Sequence, residues 1–393
     1  MPVVTNTDPI AKIKVIGVGG GGGNAINTMI GEYGIDGVEF MAFNTDAQAL
    51  KNSSAPMTLQ LGTELTRGLG VGGDYNLGAK AADETVDEIT EHLAGADMVF
   101  VTAGMGGGTG TGAAPIIAGI AKNLGALTVA VVTQPFDFEG KMRKEIADQG
   151  IAELRDKVDT LIIVPNQRLL EIIEEDISFI EAMKKVDNVL AEGVKSIAGL
   201  ITKSGFINVD FADIRNIMMN AGSSLMGIGR ASGENRAEIA ARMATNSPLL
   251  DLSIEGAKGV LFNVLGGLDL SMREVDLAAQ LIQEAVDPNA NIIFGASIDE
   301  ALEDEIIITI IATGFDGSQQ TGYKPIPIKQ DVLDDELFDD VESKSEDEGD
   351  VEEEKVDEEK TPEEEQEPEV TKPLDLEDLD DDDLEVPAFL RKK

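Results

Sequence analysis

Met98-Val99-Phe100-Val101-Thr102 runs into Ala103-Gly104-Met105-Gly106-Gly107-Gly108-Thr109-Gly110-Thr111-Gly112, and a similar passage precedes it. There, Lys12-Ile13-Lys14-Val15-Ile16-Gly17-Val18 leads into five consecutive glycines, Gly19 to Gly23, closed by Asn24. An apolar strand that ends in glycines and continues as a helix leaves unpaired backbone N–H groups at the positive end of the helix. That geometry receives phosphate. One such loop is weakly diagnostic; two in one half of a chain point to a nucleotide.

Outward from these loops the pattern alternates. Strand-like runs at 12–18, 38–43, 97–102, 126–132 and 159–164 are separated by helical periodicity, as at 76–94 and 141–156. Strands without polar alternation predict a Rossmann-like parallel sheet covered on both faces, with its ligand at the carboxyl ends of the strands. Ile180, Met183, Val186, Val189 and Leu190 recur at helical spacing and predict one long central helix over 178–203. A second, smaller α/β part follows, with helices near 211–220, 234–246 and 272–286 and strands at 258–264, 291–297 and 305–313. The expected organisation is thus 1–177, a central helix 178–204, a second domain 205–316, an acidic linker 317–383 and a terminal peptide 384–393.

The 393-residue chain has no cysteine and one histidine, His92. Disulfides, thiolate metal sites and multi-histidine centres are thereby excluded. His92 sits in an acidic helical run and reads as a surface residue. Net charge is -43; residues 331–393 alone hold 30 acidic and 7 basic residues. Such a tail, poor in aromatics, is expected to be disordered. The remainder is acidic too, which argues against nucleic acid as a partner. No basic-then-apolar leader and no 18-residue apolar run occurs, so a cytoplasmic chain that does not span the membrane is expected.

Gly17, Gly19 and Gly22 satisfy Gly-x-Gly-x-x-Gly, which keeps a dinucleotide-binding dehydrogenase in view, with Asp36 and Glu39 spaced for a ribose. That fold has no use for the second glycine run, and no P-loop motif occurs. Other residues keep bland readings open. Asn44 and Asp46 suit helix capping, Glu139 and Arg143 an i,i+4 surface pair, and Asp210 and Asp213 a helix N-terminus. The last ten residues, Leu384 to Lys393, form a short apolar segment ending in three cations. They read as a plain terminus or as a docking peptide.

Gly106 to Gly112 resembles the signature of the tubulin/FtsZ GTPase family, in particular its bacterial cell-division members. The resemblance extends to Asn44-Thr45-Asp46-Ala47-Gln48, Thr66-Arg67-Gly68-Leu69-Gly70, Phe138-Glu139-Gly140, Asn208-Val209-Asp210-Phe211-Ala212-Asp213 and Leu225-Met226-Gly227-Ile228-Gly229. It implies a GTPase that binds GTP/GDP with Mg²⁺, the ion arriving with the nucleotide rather than on a protein metal cluster. Gly21, Gly22, Gly23, Asn24 and Ala25 would contact the nucleotide. Gly104, Gly107, Gly108, Thr109, Gly110 and Thr111 would cradle its phosphates, with Asn44 and Asp46 near Mg²⁺. Glu139 and Arg143 would hold the ribose, and Asn166 and Asp187 the guanine. Met183 stands where many relatives place a stacking aromatic. Asp210, Asp213 and Asn208 would be catalytic, completing the site of the next subunit in a head-to-tail homopolymer. Leu384 to Lys393 would dock on membrane-tethering and regulatory division proteins at midcell, beneath the membrane. A non-assembling regulator of the same family is the alternative; the retained Asp210 and Asp213 argue against it.

Overall fold

Strand β1 (Ile13–Val18) is buried along its whole length. Its side chains divide between two cores: Ile13 and Val15 face one, Ile16 and Val18 the other. The same division holds in β4 (Met98–Gly104) and β5 (Leu127–Gln134). This is why these stretches read as unbroken apolar runs: both faces of the sheet are covered. The computed structural model describes residues 11–172, 178–202, 207, 209–247, 254–299 and 302–315, all within one compact unit. The linker 317–383 and the terminal peptide 384–393 lie outside the described residues.

The remaining strands are β2 (Val38–Asn44), β3 (Met57–Gln60), β6 (Thr160–Pro165), β7 (Gly222–Ser232), β8 (Gly259–Gly266), β9 (Asn291–Ile298) and β10 (Glu305–Thr313). Together they form one ten-stranded sheet, order β3-β2-β1-β4-β5-β6-β7-β10-β8-β9. All pairings up to β7 are parallel, β10 is antiparallel to β7 and β8, and β8 and β9 are parallel.

Helices α1 (Gly19–Thr28), α9 (Phe179–Thr202) and α10 (Phe211–Met218) cover one face of the parallel part. The other face carries α4 (Tyr75–Glu84), α5 (Val86–Leu93), α6 (Thr109–Asn123) and α7 (Lys141–Arg155). In the second part, α11 (Arg236–Thr245) and α12 (Met272–Ala285) pack on a third core. The mixed α/β class with a mostly parallel sheet is therefore the one expected, and α9 is the long central helix.

Four local features depart from the expectation. The strands β3 and β7 were not expected. β7 pairs with β6 through Gly222 to Ser224 and with β10 from Leu225 onward, so it joins both halves of the sheet. Its composition hides it. Gly229 is required because a Cβ there would lie 1.9 Å from the Ala240 carbonyl oxygen of α11. The helical run 76–94 is two helices, broken where the buried Thr85 hydroxyl donates to the Ala81 carbonyl and accepts from Gly62 N. The five glycines are not a loop before a helix but the opening turns of α1 itself. Gly22 lies against the sheet so closely that a Cβ would sit 2.3 Å from the Thr102 carbonyl oxygen. His92 is half-buried at the end of α5, its ring 6.4 Å from that of Phe43.

Candidate nucleotide site

A cavity of about 580 Å³ opens at the carboxyl ends of β1, β2, β4 and β5. One wall is the first turn of α1, with Gly20, Gly21 and Asn24. The facing wall is Gly104, Gly107, Gly108 and then Thr109 and Gly110 at the start of α6. Two helix N-termini thus converge on one space. Their uncommitted N–H groups and dipoles favour an anion there.

The third wall is built from Asn44, Thr45 and Asp46 after β2, together with Leu69 to Gly73. Asp46 caps the short helix α2 (Ala47–Lys51): its Oδ1 accepts from Gln48 N at 2.8 Å and Ala49 N at 3.3 Å. Oδ2 has no partner among the described residues. Asn44 is buried, and its Oδ1 accepts from Asp46 N at 3.2 Å. The capping reading and a ligand-facing position therefore hold together for Asp46.

Glu139 and Arg143 line the cavity as an ion pair, and Glu139 also accepts from Phe136 N at 2.9 Å. At the far end lie Asn166, which opens α8 (Asn166–Ile172), and Met183 and Asp187 from α9. Asn166 is 5% exposed, yet its Oδ1 has no hydrogen-bond partner among the described residues. A buried acceptor left open beside a cavity marks a place for an external donor. Burial, reinforced by repulsion from Glu32, pushes the Asp187 carboxyl up to about 6. Among the described residues Arg143 is the one cation lining the cavity, against Asp46, Glu139 and Asp187. A polyphosphate here must be held by backbone donors and by a cation that it brings.

Several residues singled out from the sequence do not line this cavity. Gly22 and Ala25 are buried in the packing of α1 on the sheet. Gly23 lines a smaller adjoining space of about 180 Å³ with Asn24 and Asn44. Thr111 is fully buried, and its hydroxyl accepts from Gly106 N at 2.9 Å, so it shapes the glycine loop from behind. Asp210 and Asp213 lie outside the cavity, exposed at the start of α10. Asp210 occupies the N-cap position, but no side chain makes the capping bond. Asn208 lies outside the described residues. Gly20, Thr45 and Gly70 to Gly73 line the cavity without having been given a role. The glycine density at 68–73 was the available signal.

A model of the tubulin/FtsZ family GTPase domain matches residues 12–174, and one of the FtsZ family C-terminal domain matches 222–316. An FtsZ dimer from M. jannaschii is 47% identical, with a TM-score of 0.75 over 77% of this chain and 88% of that one. The chain belongs to the tubulin/FtsZ family. A point mutant of the M. jannaschii FtsZ matches at 46% identity and TM-score 0.75, over 78% and 91% of the two chains. A GTPγS-bound protofilament of CetZ2 from Haloferax volcanii shares the fold at 22% identity, TM-score 0.67, over 78% and 94%. As a member of the tubulin/FtsZ family the protein is a cytoskeletal GTPase that binds GTP and GDP. Among its described residues no helix is long and apolar enough to cross a membrane.

Proposed function

We propose that this protein polymerises head to tail into filaments of the division ring, and that it hydrolyses GTP at the contact between subunits. The observation that carries this reading is the separation of acids from cavity. Asp210 and Asp213 lie outside the nucleotide cavity, on the surface, with side chains that make no cap. A head-to-tail contact would deliver them to a neighbour's nucleotide, and such a contact, which does not close, yields an open filament.

Within one subunit, backbone N–H groups of Gly21 and of Gly108 to Gly110, with the Thr109 hydroxyl, would hold the phosphates. Glu139 and Arg143 would flank the ribose. Asp187 would accept from the guanine N1 and N2 hydrogens, the open Asn166 oxygen would take a further donor, and Met183 would lie against the ring face. Among the described residues no cluster of three metal-ligating side chains exists. Mg²⁺ would travel on the phosphates with one or two protein ligands. Asp46, with its free Oδ2, would be that ligand. The ion would supply charge neutralisation on the phosphates. Asp210 and Asp213 of the next subunit, with Asn208, would orient a water in line with the γ-phosphorus.

Phosphate release and 90° light scattering, followed together over a protein-concentration series with GTP and Mg²⁺, test the reading. A threshold common to both signals is expected. Hydrolysis linear in protein without scattering would sink it. The terminal peptide 384–393 would tether the filament to the membrane through a partner at midcell, with 317–383 as spacer.

A further inference from the structure

The chain holds neither cysteine nor tryptophan. Its methionine thioethers are therefore the side chains that a two-electron oxidant attacks first. Two of them line the nucleotide cavity, Met105 and Met183. Met105 is buried, and its Cε lies 2.9 Å from the place that a Cβ on Gly150 would take, so it is packed against α7. Met183 is 37% exposed on the open side of the cavity.

Helix α9 brings Met183, Val186, Asp187 and Leu190 to the cavity. Val186 and Leu190 are buried, so Met183 is the apolar group of this helix that both a ligand and a small solute in solution reach. No aromatic side chain among the described residues lines the cavity. The polar groups at this end are acceptors. The Asp187 carboxylate lies one turn along the same helix, and Asn166 contributes an oxygen that has no donor among the described residues.

We propose that Met183 is a modification site through which hydrogen peroxide sets nucleotide affinity: its sulfoxide holds nucleotide more weakly than its thioether, and bound nucleotide shields the sulfur. The inference rests on reading the cavity as a GTP site. A sulfur lone pair attacks one peroxide oxygen, and the O–O bond breaks. The departing oxygen takes the proton of the transferred one and leaves as water; sulfur loses two electrons and the peroxide gains them. A thioether lies against a ring face with no hydrogen bond to satisfy. The sulfoxide oxygen is a polar acceptor with no proton to give. It loses its water when the base arrives, and neither the Asp187 carboxylate nor the open Asn166 oxygen replaces that donor. The base in turn covers the thioether and keeps peroxide from it.

Peroxide titration of the full-length chain in dilute solution tests this, with sulfoxide mapped by peptide mass spectrometry and GDP affinity measured by equilibrium binding. Met142, 76% exposed and not among the cavity-lining residues, is the internal reference. Saturating GDP should slow oxidation of Met183 by about tenfold and leave that of Met142 unchanged. Wild-type protein oxidised without nucleotide should bind GDP about tenfold more weakly, and methionine sulfoxide reductases should restore it. In Met183→Leu the affinity, whatever its starting value, should not change with peroxide; Met142→Leu should lose affinity as the wild type does. Oxidation of Met183 that GDP does not slow overturns the proposal, as does a Met183→Leu variant that weakens as the wild type does. If Met183→Leu does not fold, the wild type decides alone. Over a peroxide series the fraction of weakly binding protein must equal the fraction of Met183 sulfoxide, and a mismatch overturns the proposal. Untreated protein that binds no GDP is a separate failure, which overturns the reading of the cavity and the proposal with it.

Discussion

In the proposed site Asp187 would carry opposite demands in the free and the occupied protein. Its folded value of about 6 lies above the ordinary 3.8, so the folded state holds its proton more tightly than the unfolded state does. Its effect on stability is neutral below about pH 4 and turns into a penalty as pH rises through 6. Asp187→Asn should therefore raise the thermal midpoint of the nucleotide-free protein at pH 7.5, by the equivalent of about 1–2 kcal/mol after allowance for partial exposure. At pH 4 the two midpoints should coincide. The same variant should bind GTP about 10–100-fold more weakly, since a charged acceptor is lost. Wild-type affinity should fall about tenfold for each pH unit below 6. A titration of GTP binding between pH 5 and 8 checks the sign. Asp213→Ala has a different signature: GTP binding and filament scattering persist, while phosphate release drops about 10²-fold. Normal turnover in that variant would refute the shared site. Asp210 and Asp213 were legible as a capping pattern, yet the side-chain cap is missing, so spacing alone misreads what these carboxylates do.

Among elements, the glycines separate into those that packing requires and those that it does not. Gly229→Ala forces a Cβ to 1.9 Å from the Ala240 carbonyl and must push α11 off β7. A loss of about 2–4 kcal/mol is expected, read as a lowered urea midpoint. Gly199, on α9, meets nothing within 4 Å. Gly199→Ala should stabilise by about 0.5 kcal/mol through helix propensity alone. Equal effects of the two substitutions would contradict the packing account. The strands β1, β4 and β5 could be read from the sequence because each is enclosed on both faces and is uniformly apolar. β7 could not, since Gly-Ser-Ser and alternate glycines mimic a loop. The need for Gly229 lies on α11, a helix that follows in the chain.

For the whole molecule, two ionisable groups pull stability in opposite directions. Arg236, 4% exposed, donates to Glu274 at 2.6 Å, Asp269 at 2.6 Å and Asp304 at 3.2 Å. Its hydrogen bonds hold Glu274 down at about 2, below the ordinary 4.5. That contribution is complete above pH 4.5 and is lost as pH falls towards 2. The Asp187 penalty disappears over pH 6 to 4. The nucleotide-free protein should thus be most heat-stable near pH 5 and lose stability on both sides, as calorimetry in dilute solution can follow. Glu274→Gln should remove the acid limb and leave the neutral limb unchanged. Deleting 384–393 should leave GTP-driven scattering intact and abolish co-pelleting with membranes bearing the tether; loss of scattering would refute the docking role.

The amino-acid sequence by itself determined the class of fold, the two glycine-rich stretches that follow buried strands and the acidic character of the chain. These are local properties: side-chain periodicity, glycine runs after apolar strands, and composition. The tertiary structure alone decided that β7 unites the sheet, that Thr111, Gly22 and Ala25 pack behind the cavity, and that Thr45 and Leu69 to Gly73 line it. Those assignments depend on which backbone approaches which across long separations in the chain. Distance in space, set by packing, is not encoded in the spacing of residues.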